Sequence, residues 1–433
     1  MHIQIDPAVR DFLESRDVSS PSVGLIVGVY PENPTTTPVK VLHLAQTNPA
    51  EPSDTPPTIA TLATSLLTHH TRSLLRMLPG GMNILGIYST SSEISSTPPK
   101  ALLNSLTKNL STKFSAYQPF IDPEVYLQFD GKKFDVITLD KDGNKTLKLD
   151  VVFKECVLSK VQVDFWLSGV GVQQYDGRGD KGAFFEVKEG VERVVEVWKD
   201  CLQDSDTIMT LFDGNLASTS TRYVESAPVS ILVAKLPTYF LEKGKGRDNR
   251  DFINHLHLRG KMHLIAYVNE GESTKRAEMA THVDLLRSLS ARLQLHCESL
   301  IEEDSNIEAS QGLEKVVHEL PRRVFVKLSK EEIYVCDYLF PGEGPRDCLE
   351  SFGQVLGEKY GVLEEEEVVD GWEGVGDMES IGSRNEHGSS MEQLADSISS
   401  MQKKSNENSG LVWFGVVLAV LIGLIAIFVM GWK

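Results

Sequence analysis

Along the first ninety residues, apolar runs typical of strands alternate with apolar residues at helical spacing. Val23–Tyr30 is a continuous apolar run between Pro21 and Pro31, which predicts a buried strand. After a Pro- and Thr-rich turn, Val39–Ala45 is predicted to be its hairpin partner. From Thr58 to Leu78 apolar residues recur near helical spacing, and Pro79-Gly80-Gly81 ends this predicted helix. Met82–Tyr88 has a strand pattern again. The opening therefore predicts a compact α/β fold.

Strand and helix patterns continue to about residue 356. The pairs Asp130-Gly131 and Asp142-Gly143 mark turns between short strands. We predict strands at Val125–Phe129, Phe134–Leu139, Thr146–Phe153, Val157–Leu167, Ile208–Phe212, Val229–Leu236, Met262–Val268, Arg323–Leu328 and Ile333–Tyr338, with helices at 186–202, 275–302 and 346–356.

The most apolar stretch of the chain, from Leu411 to Met430, carries no charge. A helix of this length matches a hydrocarbon core of roughly 30 Å, whereas a buried core helix is rarely apolar on every face. Tryptophans stand near both ends, where indole rings favour the membrane interface. The pattern predicts a transmembrane anchor that includes Leu411, Trp413, Phe414, Leu421, Phe428, Met430 and Trp432.

The position of this span predicts its topology. A span so near the end of the chain inserts only after synthesis, which leaves the preceding residues on the side of synthesis. The first twelve residues have no apolar core and do not resemble a signal peptide. We therefore expect a single-pass membrane protein whose bulk faces the cytosol.

Beyond Tyr360 the composition becomes acidic and rich in Gly and Ser, which predicts a disordered tether. Within it Met391, Leu394, Ile398 and Met401 have the spacing of a short amphipathic helix, so a vesicle tethering or fusion factor is one alternative. The predicted organisation is an MPN-like α/β domain at 1–165, a second α/β region at 166–362, an acidic tether at 363–410 and the anchor at 411–430.

Composition excludes some partners. The formal charge of -18 over 433 residues argues against nucleic acid. An odd number of scattered cysteines, with no C-x-x-C pair, indicates reduced thiols in a cytosolic body.

Candidate chemistry is sparse. The chain contains no G-x-x-x-x-G-K-[ST] phosphate loop and no G-x-S-x-G nucleophile turn. His69 and His70 are neighbours on a predicted helix and cannot both face one metal ion. Cys201 and Cys297 are candidate nucleophiles only under a thiol-hydrolase alternative. The sequence predicts no catalytic residue, no metal site and no cofactor.

The segment from Pro79 to Glu93, taken with Ser22–Gly28, resembles the MPN fold of the JAMM metalloproteases. Catalytic members of that family place two zinc-binding histidines in the turn after the third strand. Here Ser89 and Ser91 occupy those positions, and a neutral hydroxyl is a poor zinc ligand. The resemblance therefore implies a degenerate MPN-like domain, with a metal-dependent isopeptidase as an alternative.

A resemblance over nearly the whole chain is to the odorant-response-abnormal (Odr-four-like) family. It is carried by the G-L-I-V-G strand, the R-M-L-P-G-G-M stretch at 76–82, the acidic tether and the tail anchor. It implies a non-catalytic adaptor in the endoplasmic-reticulum membrane. Implied partners are multi-pass receptors such as G-protein-coupled receptors, whose folding or trafficking it assists, and an MPN-like domain of the ubiquitin-fold-modifier protease. We expect the partner contact to include the exposed side of helix 58–78 and residues Arg76, Met77, Leu78, Met82 and Tyr88.

Overall fold

The computed structural model describes most of the chain up to residue 384. The described residues are 2–49, 57–91, 99–112, 125–139, 146–175, 195–196, 198–200, 202, 208–233, 252–304, 317–328, 333–357, 365–373 and 378–384.

Five helices and eighteen strands are bounded in this part of the chain. The helices are α1 (Pro7–Glu14), α2 (Thr64–Met77), α3 (Lys100–Thr112), α4 (Thr274–Asp304) and α5 (Pro345–Leu356). The strands are β1 (His2–Ile5), β2 (Ser22–Val29), β3 (Val39–Gln46), β4 (Met82–Thr90), β5 (Val125–Phe129), β6 (Phe134–Leu139), β7 (Thr146–Lys148), β8 (Asp150–Phe153), β9 (Leu158–Tyr175), β10 (Ile208–Phe212), β11 (Asn215–Leu216), β12 (Val229–Val233), β13 (Phe252–Asn269), β14 (Val317–Glu319), β15 (Arg322–Lys327), β16 (Tyr334–Leu339), β17 (Val368–Val369) and β18 (Met378–Arg384).

The largest sheet closes on itself. Its strand order is β7-β6-β5-β4-β2-β3-β1-β8, so β7 and β8 form the two ends of the order. Only Leu149 separates these two strands in the chain, and its backbone N–H donates to the carbonyl of Val136 at 2.9 Å. One extended segment, 146–153, therefore pairs with β6 through its first half and with β1 through its second half.

The inside of the closed sheet is filled by its own apolar side chains and by α1. Val9 and Leu13 of α1 pack there with Ile26, Tyr88 and Leu127. Asp6 caps the N-terminus of this helix, where its Oδ1 accepts a hydrogen bond from the backbone N–H of Ala8 at 3.0 Å. Because both faces of β2, β4 and β5 are buried, these strands have no exposed position to alternate with, which explains their continuous apolar runs.

The second half of the chain packs against the outer face of this sheet. Strands β9 and β13 form a long antiparallel ribbon in the order β14-β18-β13-β9, and α4 packs on one face of it. A small sheet, β11-β10-β12, contributes inner side chains to the same core. The sheet β16-β15-β17 and α5 join the core that α2 and α3 share with the closed sheet.

The strap, residues 365–373, departs from the expectation of a disordered tether from 363. A 3-10 turn at Glu365–Glu367 leads into β17, which pairs with β15, and Glu373 is fully buried. These residues fold because they add a strand and a carboxylate to an existing sheet, which composition alone does not reveal. Residues 378–384 also form a strand, paired with β14.

The mixed α/β class is confirmed, and most predicted elements are present. Three expectations were inaccurate in extent: α2 begins at Thr64 rather than Thr58, β9 continues to Tyr175, and β13 begins at Phe252. The predicted helix 186–202 is described only in part, where residues 195–196, 198–200 and 202 are helical. The strand β1 and the helices α1 and α3 were not predicted.

The division into domains stays a prediction. The proposed boundary at residue 165 falls within β9, and residues 1–383 form one compact unit. Within the described residues, no helix has the length and apolar character needed to cross a membrane. The predicted anchor at 411–430, with Leu411, Trp413, Phe414, Leu421, Phe428, Met430 and Trp432, and the short helix at 391–401 lie outside the described residues.

Candidate functional site: a buried junction at the Pro-Gly-Gly turn

The Pro79-Gly80-Gly81 turn inserts between the closed sheet and the second half of the chain. Gly80 forms a parallel bridge with Ala266 of β13, and the backbone N–H of Tyr267 donates to the Gly80 carbonyl at 2.8 Å. Gly81 has φ +79°, and a Cβ at this position would lie 1.9 Å from the carbonyl oxygen of Tyr267. Glycine is therefore required here both for its conformation and for the close approach of two backbones.

Asp284 of α4 joins three parts of the chain at this turn. Its carboxylate accepts hydrogen bonds from the backbone N–H groups of Gly80 and Ile265, each at 2.9 Å. It also accepts hydrogen bonds from Nη1 and Nη2 of Arg323 in β15, at 2.7 and 2.8 Å. The carboxylate thus receives four donors, which offsets the cost of burying its charge.

Arg287, one turn further along α4, holds the other side of the turn. Its Nη1 donates to the carbonyls of Leu78, Pro79 and Met82, at 3.0, 2.8 and 2.8 Å. Its Nη2 donates to Oδ1 of Asn83 at 3.1 Å. Burial lowers the pKa of Arg287 to about 10, so the guanidinium stays charged at neutral pH.

We call Gly80, Ile265, Asp284, Arg287 and Arg323 the junction. The three charged side chains have no exposed surface, and their hydrogen bonds reach backbone groups, one another or the side-chain oxygen of Asn83. This arrangement presents no group to a substrate from outside. Its effect is to fix the turn against α4, β13 and β15.

Four of the residues predicted to contact a partner flank this turn in the sequence, and the fifth, Tyr88, lies inside the closed sheet. Met77, Leu78, Met82 and Tyr88 are buried within the chain, whereas the side chain of Arg76 is 20% exposed. Arg76 donates to Oε1 of Gln294 at 3.3 Å and lies 3.7 Å from the Glu298 carboxylate. Their role in a partner contact stays a prediction, and only Arg76 among the five has side-chain surface to offer.

The exposed side of α2 is polar. Its exposed side chains are Thr64, Ser65, His69 and Arg72, while His70 on the opposite side is buried. Any contact made by this face would therefore be built on hydrogen bonds and positive charge rather than on apolar area.

The serine at the first of the two resembled zinc-ligand positions takes part in a hydrogen-bond network. Oγ of Ser89 lies 2.8 Å from the hydroxyl of Tyr126, which also accepts from Gln128 at 2.9 Å. Ser91 lies at the end of β4, where its backbone N–H donates to the Phe129 carbonyl at 3.1 Å. Among the described residues, no three His, Cys, Asp or Glu side chains are grouped so that they could hold a metal ion. The MPN-like assignment stays a prediction.

Two buried histidines cap a helix end rather than form a site. His43 Nε2 lies 2.8 Å from the carbonyl of Leu356, and His70 Nε2 lies 2.9 Å from that of Val355, at the C-terminus of α5. Asn48 donates to the neighbouring carbonyl of Gln354 at 3.0 Å. Carbonyls in the last turn of a helix lack intrahelical donors, so these three side chains supply them.

The described cysteines are poorly suited to nucleophilic chemistry. Cys156, Cys336 and Cys348 are buried and form no disulfide bond. Burial raises the pKa of Cys336 to about 11 and that of Cys348 to about 12, which disfavours the reactive thiolate at neutral pH. Side chains of Cys201 and Cys297 lie outside the described residues.

Sequence reasoning did not find Asp284, Arg287 or Arg323 as partners of the turn. The sequence offers one indication for two of them, because Asp284 and Arg287 lie among leucines in a predicted helix. A charge in such a stretch indicates a buried, satisfied group or a polar helix face, and spacing alone does not distinguish the two.

The fold and the junction together define a mixed α/β protein in which a glycine turn is fixed by buried charges from a long helix and a distant strand. A family model described as "Odorant response abnormal 4-like" matches residues 24–147 and 173–364, and the chain belongs to this family. The turn lies in the first matched range, and Asp284, Arg287 and Arg323 lie in the second.

Curated relatives carry the same family name. The chain is 25% identical over 315 residues to "Protein odr-4 homolog" of Xenopus tropicalis, covering 67% of this chain and 68% of that protein. It is 23% identical over 313 residues to the Mus musculus homolog, covering 67% of each. A crystal structure of UfSP from C. elegans aligns over 82% of this chain and 56% of that one, with 10% identity and a TM-score of 0.36, a level that does not define a shared fold.

Proposed function

We propose that this protein is a non-catalytic, tail-anchored adaptor of the endoplasmic-reticulum membrane that assists the localisation of membrane receptors. Membership of the odorant response abnormal 4-like family is the observation that carries the proposal. The uncharged stretch from Leu411 to Met430 supports the anchor. An anchor raises the local concentration of whatever the cytosolic body binds, so such a protein needs no active site.

The chemistry of the described residues supports a role without catalysis. Ser89 stands where the resembled metalloproteases have a histidine, and its hydroxyl bonds to Tyr126. Cys336 and Cys348 have raised pKa values and no exposed thiolate to offer. Metal analysis of the purified chain tests this part, and stoichiometric zinc would overturn it.

The finer proposal is that the body recruits the ubiquitin-fold-modifier protease, multi-pass receptors such as G-protein-coupled receptors, or both. It rests on the family resemblance together with the polar exposed side of α2. His69→Glu with Arg72→Glu reverses the charge of that face while leaving the buried side of the helix intact. We expect this variant to lose the partner, and Lys108→Glu on the neighbouring helix α3 serves as the matched control.

Anchoring is tested with three forms of the protein in cells. They are the full chain, a chain ending at residue 410, and a chain in which 411–430 is replaced by an unrelated apolar span of equal length. Proximity labelling should enrich the protease or the receptors with the first and third forms only. Equal enrichment by the form without a span would show that anchoring is unnecessary, and enrichment of vesicle-fusion machinery would favour a tethering factor instead.

A further inference from the structure

The strap, residues 365–373, occupies a groove between β15 and β13. Val368 and Val369 pair with Val326 and Phe325, which makes the strap a short third strand of that sheet. Such pairing is the way in which extended peptides add to sheet edges.

The side chains of the strap meet two kinds of surface. Trp372 packs against Phe325, Tyr334 and His263, with ring centroids 4.9, 5.0 and 5.3 Å apart. The carboxylate of Asp370 accepts hydrogen bonds from Nε and Nη2 of Arg322, at 2.8 and 3.0 Å. The strap is therefore held by one aromatic anchor and by charge-assisted hydrogen bonds.

Glu373 is the most buried contact of the strap. Its carboxylate accepts the backbone N–H of His263 at 2.8 Å and that of Arg323 at 2.9 Å. It also accepts a hydrogen bond from Nη2 of Arg292. A carboxylate with three donors fits this position, and an amide of the same shape lacks the charge that the guanidinium faces.

Some hydrogen bonds of the groove do not involve the strap. Arg323 keeps its two bonds to Asp284, and Arg292 keeps Oγ of Ser288 at 3.2 Å and the carbonyl of Pro321. Removal of Asp370 and Glu373 would nonetheless leave Arg292 and Arg322 without their carboxylate partners. An open groove would thus be positively charged and aromatic, in a chain whose net charge is -18.

The groove and the strap also differ in their relation to the family. His263, Arg292, Arg322, Arg323, Phe325 and Tyr334 all lie within the matched range 173–364, and the strap begins at the next residue. The family likeness covers the groove but not the segment that fills it.

We propose that the groove formed by His263, Arg292, Arg322, Arg323, Phe325 and Tyr334 is a peptide-binding site. Its ligand class is an extended acidic segment with a tryptophan directly before a glutamate. The strap is the ligand supplied by this chain itself, and a partner segment of the same chemistry competes with it. This binding site goes beyond the adaptor role and does not depend on it.

The test separates the strap from its groove in the full chain. A Trp372→Ala, Glu373→Ala variant removes both anchors of the strap, and a labelled, end-capped peptide of residues 365–374 is then added. We expect saturable binding that raises the melting temperature of the variant. Binding to the unaltered chain should be at least about tenfold weaker, because the attached strap competes at high effective concentration.

Two controls make the test specific. A peptide carrying Trp372→Ala and Glu373→Gln should bind at least about tenfold more weakly to the strap variant, because it lacks the aromatic anchor and the charge. A His43→Leu chain, destabilised elsewhere with its strap intact, should bind the peptide no more tightly than the unaltered chain does. Equal binding of both peptides, or no binding by the strap variant, would overturn the proposal.

Hydrogen exchange of the unaltered chain keeps the proposal testable if the strap variant does not fold. If the strap opens by itself, the backbone amides of Val368 and Val369 should exchange at least about tenfold faster than those of β15 and β16. Equal protection of the strap and of β15 would show a fixed strand and would contradict the proposal.

Discussion

Asp284 and Arg323 form a bidentate ion pair, with nitrogen-to-oxygen distances of 2.7 and 2.8 Å, at a point where neither side chain has exposed surface. They come from α4 and β15 and lie 39 residues apart in the sequence, and the same carboxylate binds the Gly80 turn, which is 204 residues away. The pair therefore connects the most specific part of the family resemblance to the second half of the chain. Its strength is best tested by removing one partner at a time.

Replacing Arg323 by Met should strongly destabilise the fold. It leaves the buried Asp284 carboxylate without its cation, and breaking a buried pair in this way costs about 3 to 5 kcal/mol. The free energy of unfolding, from denaturant titration of the purified chain, measures the effect. Lys148→Met is the matched control, because its pair with Asp135 at 2.5 Å involves a largely exposed lysine and should contribute less than about 1 kcal/mol. Similar losses for both variants would contradict the importance of the junction.

Gly81→Ala should be far more damaging than Gly214→Ala. Both glycines have a positive φ, +79° and +75°, so both changes add the strain of a left-handed side chain, about 1 kcal/mol. Only at Gly81 does the new Cβ also collide with the Tyr267 carbonyl, whereas nothing lies within 4 Å of it at Gly214. The difference between the two melting temperatures thus reports the close approach of the turn to β13. Equal shifts would mean that this approach is easily relaxed.

Acid should destabilise the protein through its buried histidines. Burial lowers the pKa of His70 to about 4 and that of His282 to about 4, from an ordinary value of 6.5. As the pH falls, these histidines are therefore protonated in the unfolded chain before they are protonated in the folded chain. The contribution of each neutral histidine to the free energy of unfolding is fully present above pH 6.5. It is lost as the pH falls toward 4, by about 3 kcal/mol for each histidine.

The contribution of His70 is isolated by comparing the chain with a His70→Gln variant. Asp337 acts in the opposite direction between pH 6 and 3.8, because burial raises its pKa to about 6. Its contribution is common to both chains and cancels in the difference. The difference in unfolding free energy should shrink as the pH is lowered from 6.5 to 4. A difference that is constant with pH would show that His70 does not titrate in this way.

His43→Leu should loosen the end of helix α5. It removes the donor that lies 2.8 Å from the buried Leu356 carbonyl, and an unsatisfied buried acceptor costs about 1 to 3 kcal/mol. Hydrogen exchange in the last turn of α5 should accelerate by a corresponding factor. Asn48→Ala removes a more exposed donor to Gln354 from the same helix end, so it should have a smaller effect.

The sequence predicted elements well where one local pattern decides the structure. The strands β5 and β6 have the predicted bounds because their residues alternate or run apolar on either side of Asp130-Gly131. Helix α2 begins six positions later than expected, because Thr58–Leu62 forms a separate turn and Ala63 is extended, with ψ 136°. The weaker patterns of α1 and α3 gave no prediction.

Pairing between distant residues was beyond reach of the sequence. Nothing in the spacing of Arg292 and Glu373 indicates that they meet, since each by itself fits a solvated helix face or an acidic tether. Composition predicts a disordered tether at residues 365–373, because it carries no information about the surface against which these residues pack. The Pro-Gly-Gly turn was found as a motif, but its buried partners could be identified only from the fold.

The segment 146–153 has a consequence for how the molecule assembles. Its pairing with β6 can form early, because the two strands are close in sequence, whereas its pairing with β1 must wait until His2–Ile5 meets Asp150–Phe153. Contacts between such distant residues form slowly, since a large loop must close first. We therefore expect the pairing of β8 with β1 to form after the pairing of β7 with β6. Until both are formed the sheet is open along one side, and α1 has no complete core to pack into.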